Sequence, residues 1–212
     1  MASEVKRRSY TSPARTQRAE ATRARVLAAA HALFLDSGYR STTTASIARE
    51  AGVSEASIFV SFGSKASLLV AVIGSAAAGS AEDIPLREQP EWQHLASQAD
   101  QPAVVAEFVA IVCRAHERTW RLLGLVRAAA EGDPELAALL TRAGEGRRAD
   151  CEWFLTDVLG KTPTDAATAQ LVDVLWAQAS VDMYRLLVID QEWAPARYQA
   201  WLTALLCHEL GT

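Results

Sequence analysis

The stretch STTTASIAREAGVSEASIFVSFGSKASLL, residues 41–69, decides the fold. It contains three helix-start signals, because the hydroxyls of Thr43, Ser54 and Ser64 each precede a short run that they can cap. Gly52 supplies the permissive backbone with which helices end. The spacing predicts a short helix from Thr43 to about Ala51, a tight turn, a second short helix from Ser54 and another from Ser64. This is a helix-turn-helix pattern.

The residues before this stretch predict the first helix of the same unit. Apolar side chains recur there at steps of three and four residues, the period of one helix face, and Gly38 closes the run. The predicted helix extends from about Thr16 to Ser37. Its apolar face consists of Val26, Leu27, Ala30, Leu33 and Phe34.

The remainder of the chain also predicts helices, and no strand pattern competes with them. After a polar segment, residues 80–102, that contains at most one helical turn, proline or glycine opens each further helix. We expect an all-α protein of about nine helices, with a three-helix head and a larger helical body. The predicted body helices are Pro102–Glu131, Pro134–Ala143, Gly146–Leu159, Pro163–Ile189 and Pro195–Leu210.

Charge divides the chain in two. The net charge is −4, yet residues 1–70 carry ten Lys and Arg against five Asp and Glu, whereas residues 71–212 carry eleven against twenty. Such asymmetry indicates a basic contact module on an acidic body. With 50% hydrophobic residues, disorder throughout is excluded.

No stretch approaches the roughly 20 apolar residues of a membrane span, and no signal core follows the basic N-terminus. The three cysteines, an odd number, favour reduced thiols. We therefore expect a cytoplasmic protein with no membrane partner.

Residues 22–69 resemble the DNA-binding head of the tetracycline-repressor (TetR) family of bacterial regulators. The motif elements are Thr22-Arg23, Val26-Leu27, Ala29-Ala30, Leu33-Phe34, Gly38-Tyr39, Thr42-Thr43, Ile47-Ala48, Ala51-Gly52-Val53-Ser54, Phe62, Ser64-Lys65 and Leu68-Leu69. The resemblance implies a homodimeric regulator, by family habit a repressor, that binds a palindromic operator in double-stranded DNA. A small molecule would release it, and no enzymatic activity, cofactor or metal is implied.

The same resemblance implies DNA contacts from the predicted helix starts. Helix N-termini bind phosphates, and the helix after the turn contacts base edges in the major groove. The implied contacts are Arg18, Thr43, Thr44, Ser54, Glu55, Ala56, Ser57, Phe59, Val60, Ser61 and Lys65. Two positions depart from the family. Family members usually have Tyr where this chain has Phe59, and often His or Tyr where it has Ser61. Lys6, Arg7, Arg8, Arg15 and Arg18 form a basic arm that either follows the DNA backbone or enters a minor groove. The alternative for Lys6 to Arg8 is a solvated tail.

The family's organisation implies three segments and two sites in the body. The segments are an arm (1–15), a DNA-binding domain (16–63) and a sensing and dimerisation domain (64–212) whose connecting helix is 64–79. The predicted ligand pocket comprises Phe108, Val112, His116, Trp120, Trp153, Trp176 and Met183. The predicted dimer interface comprises Leu171, Leu175, Tyr198, Trp201, Leu202 and Leu205.

Three alternatives stay open at this point. His116 is either a polar handle for a ligand or a core histidine with a nearby hydrogen bond. The second possibility is that the chain is a helical enzyme that uses a buried His116, although no nucleophile elbow, phosphate loop or zinc-protease pattern is present. A sequence-tolerant architectural DNA binder is the third possibility, and the acidic body argues against it.

Overall fold

The computed structural model of the chain describes residues 13–81, 86–162 and 166–211. Ten α-helices and no β-strand occur in these ranges, which confirms the all-α prediction with one helix more than expected. The helices are α1 (Pro13–Ser41), α2 (Thr44–Ala51), α3 (Glu55–Phe62), α4 (Lys65–Ala78), α5 (Pro90–Ala96), α6 (Gln101–Ala130), α7 (Pro134–Trp153), α8 (Ala166–Gln178), α9 (Val181–Tyr184) and α10 (Pro195–Leu210). A 3-10 turn covers Leu86–Glu88, and π-helices cover Phe154–Val158 and Arg185–Asp190.

The three predicted helix starts in the head are confirmed as caps. Thr43 accepts a hydrogen bond from the Ser46 amide and completes a capping box with it. Ser54 and Ser64 likewise accept from the amides three residues downstream. Gly52 has φ 65°, and its N–H returns to the last turn of α2. A cap hydroxyl satisfies one of the amides that every helix leaves free at its start, so these polar residues fix the helix boundaries.

The predicted break between residues 143 and 146 is wrong. Helix α7 continues from Pro134 to Trp153, through Gly144 and Gly146. An interior glycine costs only about 1 kcal/mol relative to alanine, and neither glycine has the positive φ that ends a helix. Helix α7 packs against α6 and α8, and such packing outweighs local propensity.

The predicted single helix Pro163–Ile189 is also wrong, in the opposite direction. Helix α8 ends at Gln178, and Ser180 takes an extended conformation (ψ 153°) in which its hydroxyl accepts from the Met183 amide. A serine whose hydroxyl binds the backbone favours a new helix start over a helix interior. The second part continues as α9 and the π-helix Arg185–Asp190.

The predicted loop of residues 80–102 contains more structure than one turn. Helix α5 has Pro90 in its first turn, and it buries Trp92 and Leu95 in the body. Two buried apolar side chains are enough to dock a short helix that would be unstable alone.

Helix α6 belongs to two apolar cores. Its first half, with Val105, Phe108 and Val109, lies in the core of the body. Its second half, with Leu122 and Val126, lies in the core of the head, among side chains from α1 to α4. The predicted domain boundary at residue 63/64 stays a prediction, but the head's core extends past it.

Among the described residues, no single helix is long and apolar enough to cross a membrane. The neighbouring pair α3 and α4 reaches the required length and hydropathy only together, and the two helices are bent by 70°.

The glycine at the helix-turn-helix corner provides a test of this fold. We expect Gly52→Ala to lower the free energy of unfolding by about 1 kcal/mol, because a side chain at positive φ meets the neighbouring backbone. The control is Gly124→Ala in α6, where an added Cβ meets nothing within 4 Å and helix propensity should raise stability by about 0.5–1 kcal/mol. Urea denaturation measures both, and changes of equal sign would contradict the turn geometry.

Candidate functional site

Helix α3 exposes most of its side chains. Its buried side chain is Ile58, which is 1% exposed, whereas Phe59 is 48% and Val60 89% exposed. The other predicted contact residues of this helix and its cap are also exposed: Ser54, Glu55, Ala56, Ser57 and Ser61. Neighbouring apolar side chains exposed together within a polar rim are typical of contact surfaces, so this face of α3 is a candidate contact surface.

Helix α2 begins beside α3 and is linked to it through a polar contact. The hydroxyl of Thr44 donates a short hydrogen bond to the carboxylate of Glu55. Thr43 is exposed next to it, with its hydroxyl in the capping box. Glu55 is the first residue of α3, so this hydrogen bond joins the start of α3 to the start of α2.

Lys65, predicted to contact a phosphate, has its ammonium directed toward the end of α1. Its Nζ donates to the carbonyl oxygens of Tyr39 (2.9 Å) and Thr42 (3.0 Å), and it lies 4.2 Å from the centroid of the Tyr39 ring. Burial lowers the pKa of Lys65, and the charge of Asp133 partly opposes this. Two of the three ammonium hydrogens therefore serve the head itself.

A connection between α6 and α7 contacts the same part of the head. The hydroxyl of Tyr39 donates to Asp133 Oδ2 at 3.2 Å, and burial together with that carboxylate raises the pKa of Tyr39. The hydroxyl of Ser64 donates to Glu135 Oε1. The body thus contacts the end of α1 through Asp133 and the start of α4 through Glu135.

The predicted DNA contacts near the N-terminus are Arg18 and the other residues of the basic arm. Arg18 is exposed on α1. The arm residues Lys6, Arg7 and Arg8, and the side chain of Arg15, lie outside what the structure describes.

Five of the seven predicted pocket residues lie in or against the core of the body. Phe108 stacks on Phe154 with ring centroids 4.1 Å apart, and Trp153 approaches Trp92 at 6.4 Å. Val112, Trp120 and Met183 are partly buried against the same core. Trp176 is 39% exposed, and the guanidinium of Arg147 lies over its ring.

His116 is the predicted pocket residue with a distinct environment. It is 8% exposed, and its Nδ1 has no hydrogen-bond partner. Its ring lies 5.8 Å from that of Tyr184. Burial lowers the pKa of His116 to about 3, and the positive charge of Arg147 adds to this. The imidazole is therefore neutral, and one of its two polar atoms is unsatisfied.

A cavity does occur in the structure, but at a different place. A groove of about 450 Å³ lies between α1 and α4 where they meet α6. Its lining includes Leu27, His31, Val72 and Arg118 and none of the seven predicted pocket residues.

The predicted dimer interface is only partly accessible. Leu175, Tyr198 and Leu202 are at most 2% exposed and belong to the core of one chain, so a partner subunit cannot reach them as the chain stands. Leu171, Trp201 and Leu205 are partly exposed. They form the remainder of the predicted interface.

Comparison with known proteins bears on the head first. Residues 26–72 match the model of the bacterial regulatory proteins of the tetR family, which covers α2 and α3 and most of α1 and α4. Together with the capped helix-turn-helix and its exposed second helix, this match decides what the head is. Residues 26–72 are a helix-turn-helix head of the tetR type.

Solved structures extend the likeness from the head to the whole fold. A Mesorhizobium loti structure described as a TetR-family transcriptional regulator is 19% identical with a TM-score of 0.63, covering 92% of this chain and 97% of the other. NalD of Pseudomonas aeruginosa, described as the secondary repressor of the MexAB-OprM multidrug efflux pump, is 20% identical with a TM-score of 0.56, covering 90% and 97%. A Rhodococcus sp. transcriptional regulator is 17% identical with a TM-score of 0.54, covering 89% and 94%. No curated protein matches.

Several residues that shape these sites have no signal in the local sequence. Glu135 and Asp133 lie about 70 and 90 residues from their partners in the head, and no local pattern connects such distant groups. Tyr184 lies beside His116 because the helix breaks at Ser180, a break that apolar periodicity conceals. Within the described ranges, no group of three or more His, Cys, Asp or Glu side chains could hold a metal ion.

The unsatisfied imidazole predicts a measurable pH dependence. Below about pH 6.5 the unfolded histidine takes up a proton that the folded one does not, so the free energy of unfolding should fall by roughly 2 kcal/mol from pH 7 to pH 5 through this group. His116→Phe should remove that contribution. At pH 7 it should raise stability by about 1 kcal/mol, because it removes an unpaired buried nitrogen.

Urea denaturation at several pH values measures this effect. His94→Gln, on the exposed side of α5, is the control and should retain the wild-type slope. A slope that survives in His116→Phe would contradict the neutral, buried state of His116.

Proposed function

We propose that this chain is a dimeric transcription repressor that binds a palindromic operator and is released by a small apolar or aromatic molecule. The observation that carries the proposal is α3, which holds Phe59 and Val60 in solvent on the second helix of a helix-turn-helix. A major groove admits one such helix. The described repressor role of NalD favours repression over activation here.

The proposed contacts divide into two kinds. Hydroxyls and amides at the starts of α2 and α4 contact phosphates and set the position of the head. The exposed face of α3, from Glu55 to Ser61, contacts base edges. Arg18 and the basic arm add sequence-independent attraction, which the net charge of residues 1–70 supports.

The proposed release by an effector uses the shared helix. A ligand in the body displaces α6, and α6 carries part of the head's core. Two heads must lie about 34 Å apart to enter successive major grooves, so a small displacement weakens binding. His116 is the proposed polar contact for this ligand, because its Nδ1 lacks a partner.

A footprint on the DNA upstream of the protein's own gene tests the proposal. We expect two protected half-sites one helical turn apart and affinity that falls steeply with salt. A scrambled duplex of equal length is the control. Equal affinity for both duplexes would support an architectural binder, and no binding to either would refute the proposal.

The departure from the family at Phe59 gives a gain-of-function test. Phe59→Tyr adds a hydroxyl that can reach a phosphate, so operator affinity should rise about fivefold, as one hydrogen bond near 1 kcal/mol implies. Phe59→Ala should lower it. Because Phe59 is half exposed, both variants should unfold close to the wild-type midpoint, whereas Ile58→Ala should lose about 2–4 kcal/mol. Gel shifts and urea denaturation separate the two effects.

A further inference from the structure

The start of α4 is already occupied by an anionic group of the protein. The hydroxyl of Ser64, the N-cap of α4, donates to the carboxylate of Glu135. Glu135 lies in the first turn of α7, immediately after the connection that also brings Asp133 to Tyr39. The amino-terminal end of one body helix is therefore fastened to the amino-terminal end of the head's last helix.

A carboxylate and a phosphate compete for the same chemistry at such a position. Both present anionic oxygens that accept from a hydroxyl, and both are stabilised by the positive end of a helix dipole. One oxygen of Glu135 thus makes the contact that a phosphate oxygen of DNA would make at Ser64. Both anions cannot accept the same hydroxyl proton.

The second predicted phosphate contact shows the same arrangement. Thr44, at the start of α2, donates its hydroxyl to the carboxylate of Glu55. Lys65 is committed to backbone carbonyls of the head. In the chain without DNA, the hydroxyls of Thr44 and Ser64 thus donate to carboxylates of the protein itself. Two of the three N–H groups of Lys65 donate to its backbone carbonyls.

We propose that Glu135 is an internal competitor of the DNA backbone: it holds Ser64 and the start of α4 until a phosphate displaces it. This proposal rests on the proposed function, because it assumes that α4 approaches the operator by its N-terminus. It adds an affinity-setting residue that belongs to the body, outside the helix-turn-helix.

The position of Glu135 couples this competition to the body. Helix α6 ends at Ala130 and α7 begins at Pro134, so a displacement of this end of α6 that α4 does not follow moves Glu135 relative to Ser64. A displacement that presses Glu135 against Ser64 weakens DNA binding, and one that withdraws it strengthens binding. The connection between α6 and α7 therefore changes the head's affinity without changing the spacing of two heads.

The test compares two charge-neutralising variants of the full-length protein on the operator found by footprinting. Glu135→Gln keeps the shape and can still accept from Ser64, but it lacks the charge. Glu131→Gln removes the same charge from the same connection, at an exposed residue whose side chain has no hydrogen bond to the described part of the chain. We expect operator affinity to rise about fivefold in Glu135→Gln and less than twofold in Glu131→Gln.

A double-mutant cycle with Ser64→Ala assigns the effect to this contact. Ser64→Ala should weaken binding, and the gain from Glu135→Gln should vanish in the double variant, because the hydroxyl that both anions use is absent. Thermal midpoints within a few degrees of wild type exclude misfolding as the cause. Equal effects of Glu135→Gln and Glu131→Gln, or a gain that persists in the double variant, would overturn the competition while operator binding stands. Failure of every variant to bind DNA would overturn the proposed function itself.

Discussion

The structure depends on α6 being common to two cores. Its first half packs into the body and its second half into the head, and all 30 residues form one continuous helix. A helix of this length extends about 45 Å at 1.5 Å per residue. Because close-packed cores transmit displacement, the head cannot shift freely against the body. The N-terminal unit matched by the family model is therefore part of a larger packed structure.

Polar contacts near the C-terminal end of α6 make this apolar linkage between head and body specific. Apolar packing alone permits sliding, whereas Tyr39 to Asp133 and Ser64 to Glu135 bind specific atoms. Each such hydrogen bond contributes only about 1 kcal/mol. Contacts of this strength favour one arrangement of the head on the body without preventing another.

The sequence predicted the head far better than the body. The helix boundaries in the head depend on local chemistry, because a hydroxyl caps its own helix and a glycine ends the one before it. The capping residues are Thr43, Ser54 and Ser64, and the glycine is Gly52. In the body, Gly144 and Gly146 were misleading because tertiary packing outweighed their propensity, and Ser180 was overlooked among apolar neighbours. The pocket and interface predictions treated large apolar side chains as free to meet a ligand or partner, yet Leu175, Tyr198 and Leu202 are buried in their own chain. Which core residues face one another depends on long-range packing, and one helix wheel does not contain that information.

The break at Ala179–Ser180 makes the segment that follows it a separate structural unit within the body. Residues 181–190 begin at their own cap, follow an extended residue and contain a π-helix, with Leu186 45% exposed. Short segments with few buried contacts open at a free energy well below that of global unfolding. Amide hydrogens in this segment should therefore exchange with solvent sooner than those of α6. Each opening moves Tyr184 away from His116, so a closed interior becomes reachable through the protein's own fluctuations.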